Sequence, residues 1–176
     1  MTMRLVPLVI MLAAIAVMAL PVAVRLPIRL VWNASASVPV GLYAVQALDR
    51  PIVGELVVIA PPEPLAGFLA ARGALPRDVP LIKPVAALPG QIVCRYGRQI
   101  SIDGFPRAEA RDRDRLDRPL PVWQGCRVVA DDELFLMNAA RSDSLDGRYF
   151  GVLPMTALRG RATPLCPGER RGQDLL

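Results

Sequence analysis

The sequence predicts a mainly β domain hung from a single N-terminal membrane helix. Three observations carry that prediction. The chain opens on a long uncharged apolar run. Behind it, apolar runs are short and broken by turn residues. And 18 prolines and 13 glycines in 176 residues leave little room for long helices. The length fits one domain, and much of the 53% hydrophobic share is concentrated at the N-terminus.

The first element is the run Leu5 to Val24, which has no charge and no strongly polar group. As a helix it would be roughly 30 Å long, about the hydrocarbon thickness of a bilayer. Pro7 and Pro21 lie near its ends, where a helix tolerates them best. A cleaved signal peptide would have a shorter apolar core followed by small residues. Here Arg25-Leu26-Pro27-Ile28-Arg29 follows, so an uncleaved anchor over residues 1–28 is expected. Arg4 on one side and Arg25 and Arg29 on the other leave its orientation undecided by charge.

The domain is expected over 29–166. Strands are predicted at Gly41–Gln46, Glu55–Ala60, Leu81–Ala87, Gln91–Tyr96, Gln99–Ile102, Arg127–Val129 and Leu134–Met137, with a last one over Leu158–Leu165. Arg95-Tyr96-Gly97-Arg98 and Asp103-Gly104 read as hairpin turns. Pro64–Leu75 is predicted as one short helix. Arg107–Arg118 alternates Arg with Asp and Glu and reads as a solvated loop or short helix. Residues 167–176 are expected to form a polar tail.

Composition excludes several functions. The net charge of +5 is spread along the chain, with no basic patch interleaved with aromatics, so nucleic acid is not an expected partner. Without His or a Cys-x-x-Cys pair no metal site is expected, and no cofactor motif is present. Cys94, Cys126 and Cys166 can supply one disulfide and a spare thiol. Cys94 with Cys126 is the expected bridge, because both flank predicted strands.

Three segments carry candidate chemistry. Lys83 is the only Lys in the chain, in the apolar stretch Leu81-Ile82-Lys83-Pro84-Val85. Arg cannot shed its proton near neutral pH, whereas a buried Lys can, so this position suits a base. A compositional bias toward Arg would also leave a lone Lys. Ser35 and Ser37, two apart, would reach one face of an extended segment; a polar turn is the plainer alternative. Finally, Ser142-Asp143-Ser144-Leu145-Asp146-Gly147-Arg148 gathers hydroxyls, carboxylates and guanidinium, or is simply a hydrogen-bonded turn. With no His, a Ser-His-Asp triad is excluded, while a Ser–Lys pair is not.

Taken in order, these pieces resemble membrane-anchored type I signal peptidases, most closely the conjugative-transfer, TraF-type branch. The resemblance rests on the anchor, Ser37-Val38-Pro39-Val40-Gly41-Leu42-Tyr43, Leu81 to Gly90, and Ser144 to Gly151, and runs through Pro154. It implies a signal-peptidase-like antiparallel β domain. It also implies Ser37 as nucleophile, Lys83 as general base and Ser35 as an oxyanion donor. Ser144 and Asp146 would support the Lys, with Arg148 as the partner of Asp146. Two residues depart from the family pattern: Val38 stands where Met is common, and Gly147 where the late box usually has Ser.

The implied protein is an inner-membrane, single-pass serine endopeptidase with its catalytic domain in the periplasm, partnered by the lipid bilayer. Its substrate would be a pilin precursor of a conjugative or type IV secretion system, with maturation extending to pilin cyclisation. The alternatives are a general signal peptidase for secreted preproteins and a non-catalytic membrane-anchored assembly factor.

Overall fold

The computed structural model describes residues 2–23 and 30–165. The predicted tail 167–176, Cys166 and the stretch joining helix to domain lie outside the described residues. The N-terminal run is helical, α1 spanning Thr2–Ala23. Its apolar side chains over residues 6–18 are exposed, with Ile10 at 63% and Met18 at 79%. A bilayer span needs about 20 apolar residues. Among the described residues no helix is long and apolar enough to cross a membrane.

The rest is mainly β. In chain order come β1 Leu30–Asn33, β2 Gly41–Gln46, β3 Leu56–Ile59, α2 Glu63–Ala71, β4 Leu81–Ala87, β5 Ile92–Tyr96 and β6 Gln99–Ile102. Then follow β7 Phe105–Glu109, β8 Gly125–Val128, β9 Glu133–Leu136, α3 Gly147–Phe150, β10 Leu153–Pro154 and β11 Leu158–Pro164. A seven-stranded sheet has the order β1-β2-β11-β3-β4-β9-β10, and a four-stranded one β7-β6-β5-β8. Every described pairing is antiparallel.

Period-two alternation divides the side chains of the larger sheet between two cores. Val57, Ile59, Leu81, Val85, Leu134 and Leu136 pack with Leu65 and Leu69 of α2. Val31, Tyr43, Val45, Val58, Ile82 and Ala162 form a second cluster. A third, built from Ala87, Val93, Ile100, Ile102, Phe135 and Met137, joins the two sheets. Burying a side chain of this kind stabilises by roughly 1.5–3 kcal/mol relative to exposure. The central strand β4 is therefore fixed on both faces and by β3 and β9 along both edges.

The observed elements differ from the predicted ones in places. Arg107–Arg118 begins in β7, and its remainder is the expected solvated loop, in which Arg113 bridges Pro119. Asp114 pins the remainder, accepting from the backbone N–H groups of Leu116 and Arg118 and from the Arg118 and Arg72 side chains. Burial opposes ionisation of Asp114, yet the Arg118 and Leu116 donors hold its pKa at about 2. The strands β1, β7 and the two-residue β10 have no counterpart in the predicted set. β1 is only four residues long, the shortest run in which alternation can mark a strand. β7 contains Pro106 and is almost wholly exposed, as suits an edge strand. Asp103 and Gly104 do turn the chain, with positive φ of 51° and 82°. Cys94 and Cys126 are bonded across the β5–β8 register.

Candidate active site

The loop after β1 is shaped by one buried side chain. Asn33 donates from Nδ2 to the carbonyls of Ser35 (2.8 Å), Val38 (3.0 Å) and Pro39 (3.0 Å). Its Oδ1 accepts from the Ser35 N–H at 3.2 Å and the Ser35 hydroxyl at 2.9 Å. Val38 is buried in the second core, and the Tyr43 hydroxyl donates to Pro39 O at 2.7 Å. Ser37 is thus held between a capped turn and a buried anchor. The segment is a polar turn, the plainer of the two readings, and the two hydroxyls meet in it, Ser35 Oγ to Ser37 Oγ at 2.9 Å. Asn33 Oδ1 can only accept, so the single Ser35 proton goes to it. Ser37 then donates its own proton to Ser35.

Lys83 comes from the middle of β4, opposite Val57 and on the same face as buried Leu81 and Val85. It is only 6% exposed. Its Nζ donates to Ser144 Oγ at 2.7 Å. Burial lowers its pKa from 10.5 to about 8; Asp146 and Asp143 raise it, and Arg148 lowers it.

The late segment is organised by a fully buried ion pair. Arg148 Nε meets Asp146 Oδ1, and Nη2 meets Oδ2, both at 2.9 Å. Asp146 also accepts from the Arg148 N–H at 3.2 Å, capping α3, and from the Asn138 N–H at 3.0 Å. Arg148 Nη2 adds the carbonyls of Arg141 (2.6 Å) and Ser144 (3.2 Å). A buried pair offsets its desolvation only when its remaining donors and acceptors are filled, as they are here. The pair therefore fixes the backbone that carries Ser144.

Gly147, where the family pattern has Ser, has a steric reason. A Cβ there would lie 2.6 Å from the Phe135 ring and 2.7 Å from Leu136 O. Helix α3 packs against β9 too closely for any side chain.

The structure brings all six sequence-nominated residues into one neighbourhood. Ser35, Ser37, Lys83 and Ser144 line a cavity of about 680 Å³, with Asp146 and Arg148 buried behind Ser144. Among the described residues Lys83 Nζ and Ser37 Oγ make no hydrogen bond to each other; each holds a different Ser. No group of His, Cys, Asp or Glu suited to a metal ion occurs among the described residues.

Sequence reasoning missed three contributors. Asn33 builds the Ser37 loop. Asn138 donates from Nδ2 to Ser37 O while its N–H meets Asp146, which ties the loop to the late segment. Buried Arg95 donates to Arg148 O and to Gly97 O. Asn next to a strand end is a readable capping signal; the partners of Asn138 and Arg95 lie too far away in sequence to be read.

The family described as signal peptidase, peptidase S26, matches residues 2–166. Curated relatives include a protein named probable conjugal transfer protein TraF from Sinorhizobium fredii, 38% identical over 74% of this chain and 73% of its own. Conjugal transfer protein TraF of Agrobacterium fabrum is 37% identical over 76% of this chain and 80% of its own. Among solved structures, a signal peptidase I from Enterococcus faecalis V583 is 17% identical, with a TM-score of 0.41 over 66% of this chain and 100% of that one.

Proposed function

This chain belongs to the signal peptidase family, peptidase S26, and from that premise we propose that it is a serine endopeptidase working through Ser37 and Lys83. The observation that carries the reading is Lys83 itself. A buried amine with a pKa of about 8, bonded to Ser144, lines the same cavity as a half-buried Ser hydroxyl.

A Ser hydroxyl needs an adjacent base to become a nucleophile. In the resting site the Ser37 proton points to Ser35. On substrate entry a χ1 rotation turns Ser37 Oγ toward neutral Lys83, which takes the proton as Ser37 attacks the scissile carbonyl. Lys83 then passes the proton to the leaving amine. Water attacks the acyl-enzyme with Lys83 again as base. The Ser37 N–H and the Ser35 hydroxyl, turned away from Asn33, donate to the oxyanion, each worth roughly 3 kcal/mol. Ser144 orients the amine, and the Asp146–Arg148 pair holds Ser144.

The relatives named for conjugal transfer support a precursor substrate in a conjugative system, read here as a pilin precursor. Transfer of the acyl group to an amine in place of water would join termini. The uncharged run Leu5–Val24 supports a single-pass inner-membrane anchor, with the β domain in the periplasm and the bilayer as its partner. The test is co-expression with a candidate propilin, reading the product mass. The wild-type chain converts the precursor, by loss of a peptide or by a further loss of water on cyclisation. Ser37→Ala leaves it intact. Equal conversion by both chains refutes the reading.

A further inference from the structure

The cavity wall carries more arginine than its carboxylates can match. Five arginines line it, with Asp114 and Asp143 as the lining acids. Both acids are occupied: Asp114 by Arg72 at 2.7 Å and Arg118 at 2.8 Å, Asp143 by Arg115. Arg113 faces Asp117 outside the lining, at 3.4 Å. Arg111 differs. Among the described residues its guanidinium has no carboxylate; Nη2 donates only to the Ser142 hydroxyl, at 2.8 Å. Its backbone is fixed, since the Arg111 N–H donates to the hydroxyl of buried Tyr149 at 3.0 Å. A guanidinium on a fixed backbone, with free donors over a positively charged cavity, suits a planar carboxylate.

We propose that Arg111 is a specificity residue that binds a carboxylate of the precursor lodged in this cavity, so that substrates bearing one near the cut are preferred. The inference rests on the peptidase reading. The carboxylate can be an acidic side chain or the free C-terminus of a short trailing segment.

Internally quenched peptides with small residues ahead of the cut separate these cases. One arm walks Glu against Gln through the positions on either side of the cut; the other compares free with amidated C-termini. In low salt the wild-type chain favours the carboxylate peptide by about three- to fivefold in kcat/KM, the range of an exposed ion pair. The ratio falls to about one in Arg111→Gln and below one in Arg111→Glu, and it shrinks at high salt. The arm that responds identifies the source. A wild-type chain without the preference, or a preference that survives Arg111→Gln, overturns the proposal. If wild type cleaves no peptide, the peptidase reading is what fails. The series is then scored by fluorescence anisotropy on Ser37→Ala, where equal or absent binding of acidic and amide peptides overturns the carboxylate site.

Discussion

The acid limb of the activity profile is set by Lys83. With a pKa of about 8, roughly a tenth of the amine is neutral at pH 7 and about a hundredth at pH 6. On the proposed mechanism kcat/KM therefore rises about tenfold per pH unit up to pH 7, and levels off above pH 9. Asp143 raises the Lys83 pKa, so Asp143→Asn moves the limb to lower pH. The same shift has a stability counterpart. Below pH 8 the amine is protonated in both folded and unfolded chains, and burying it costs about 3 kcal/mol, from the difference between 10.5 and about 8. Between pH 8 and 10.5 only the unfolded chain is protonated, so the cost shrinks, and above 10.5 it is gone. Lys83→Met should thus stabilise the chain by up to about 3 kcal/mol at pH 7, and progressively less above pH 8. The assays are the pH dependence of cleavage of an internally quenched peptide and urea unfolding of the detergent-solubilised chain. A limb centred near 10.5, or a stability gain of Lys83→Met over wild type no larger at pH 7 than at pH 10.5, would refute the reasoning.

Lys83→Arg keeps the charge but cannot release it, and Ser37→Ala removes the nucleophile. Both should abolish cleavage of the same peptide, whereas Ser101→Ala, on β6 and outside the cavity lining, should retain it. Asp146→Asn leaves the Arg148 guanidinium buried without its counter-charge, and should lower unfolding free energy by about 3–5 kcal/mol in urea titration. Gly147→Ser restores the family residue but collides with Phe135 and Leu136 O; a loss of about 1–3 kcal/mol and a lower Tm by calorimetry are expected. An unchanged Tm would mean that α3 moves off β9 at little cost.

Much of the fold was legible because it is written locally. The strand at Leu81–Ala87 matches its predicted bounds, since alternation and the following Leu-Pro-Gly turn fix both ends. Helix α2 stops at Ala71, short of the predicted Leu75, because Gly73 takes a positive φ of 65° and its N–H turns back to Ala70 O. The strands missed are those whose stability comes from partners and not from pattern. β1 is held by pairing with β2, and β7 by β6, while its own side chains stay in solvent. The candidate site divides in the same way. Residue type singled out Lys83, and the family resemblance nominated Ser37 and Asp146. What no spacing could reveal was that Asn138 links the Ser37 carbonyl to the Asp146 carboxylate across a hundred residues of chain.

That link bears on why a lone Lys can sit in this core at all. An amine placed among Leu81, Val85 and Val57 is disfavoured as a cation, and one nearby carboxylate free to ion-pair with it would restore its ordinary pKa. Asp146 is that carboxylate, but it is spent on Arg148 with two bonds of 2.9 Å, so its pull on Lys83 is opposed by the guanidinium beside it, and burial still sets the direction. Lys83 is left with a neutral hydroxyl, Ser144, which can orient it without fixing its charge. A basic side chain kept from ion pairing is able to titrate near neutrality. The buried Asp146–Arg148 pair is therefore better understood as withholding a charge from Lys83 than as a source of stability.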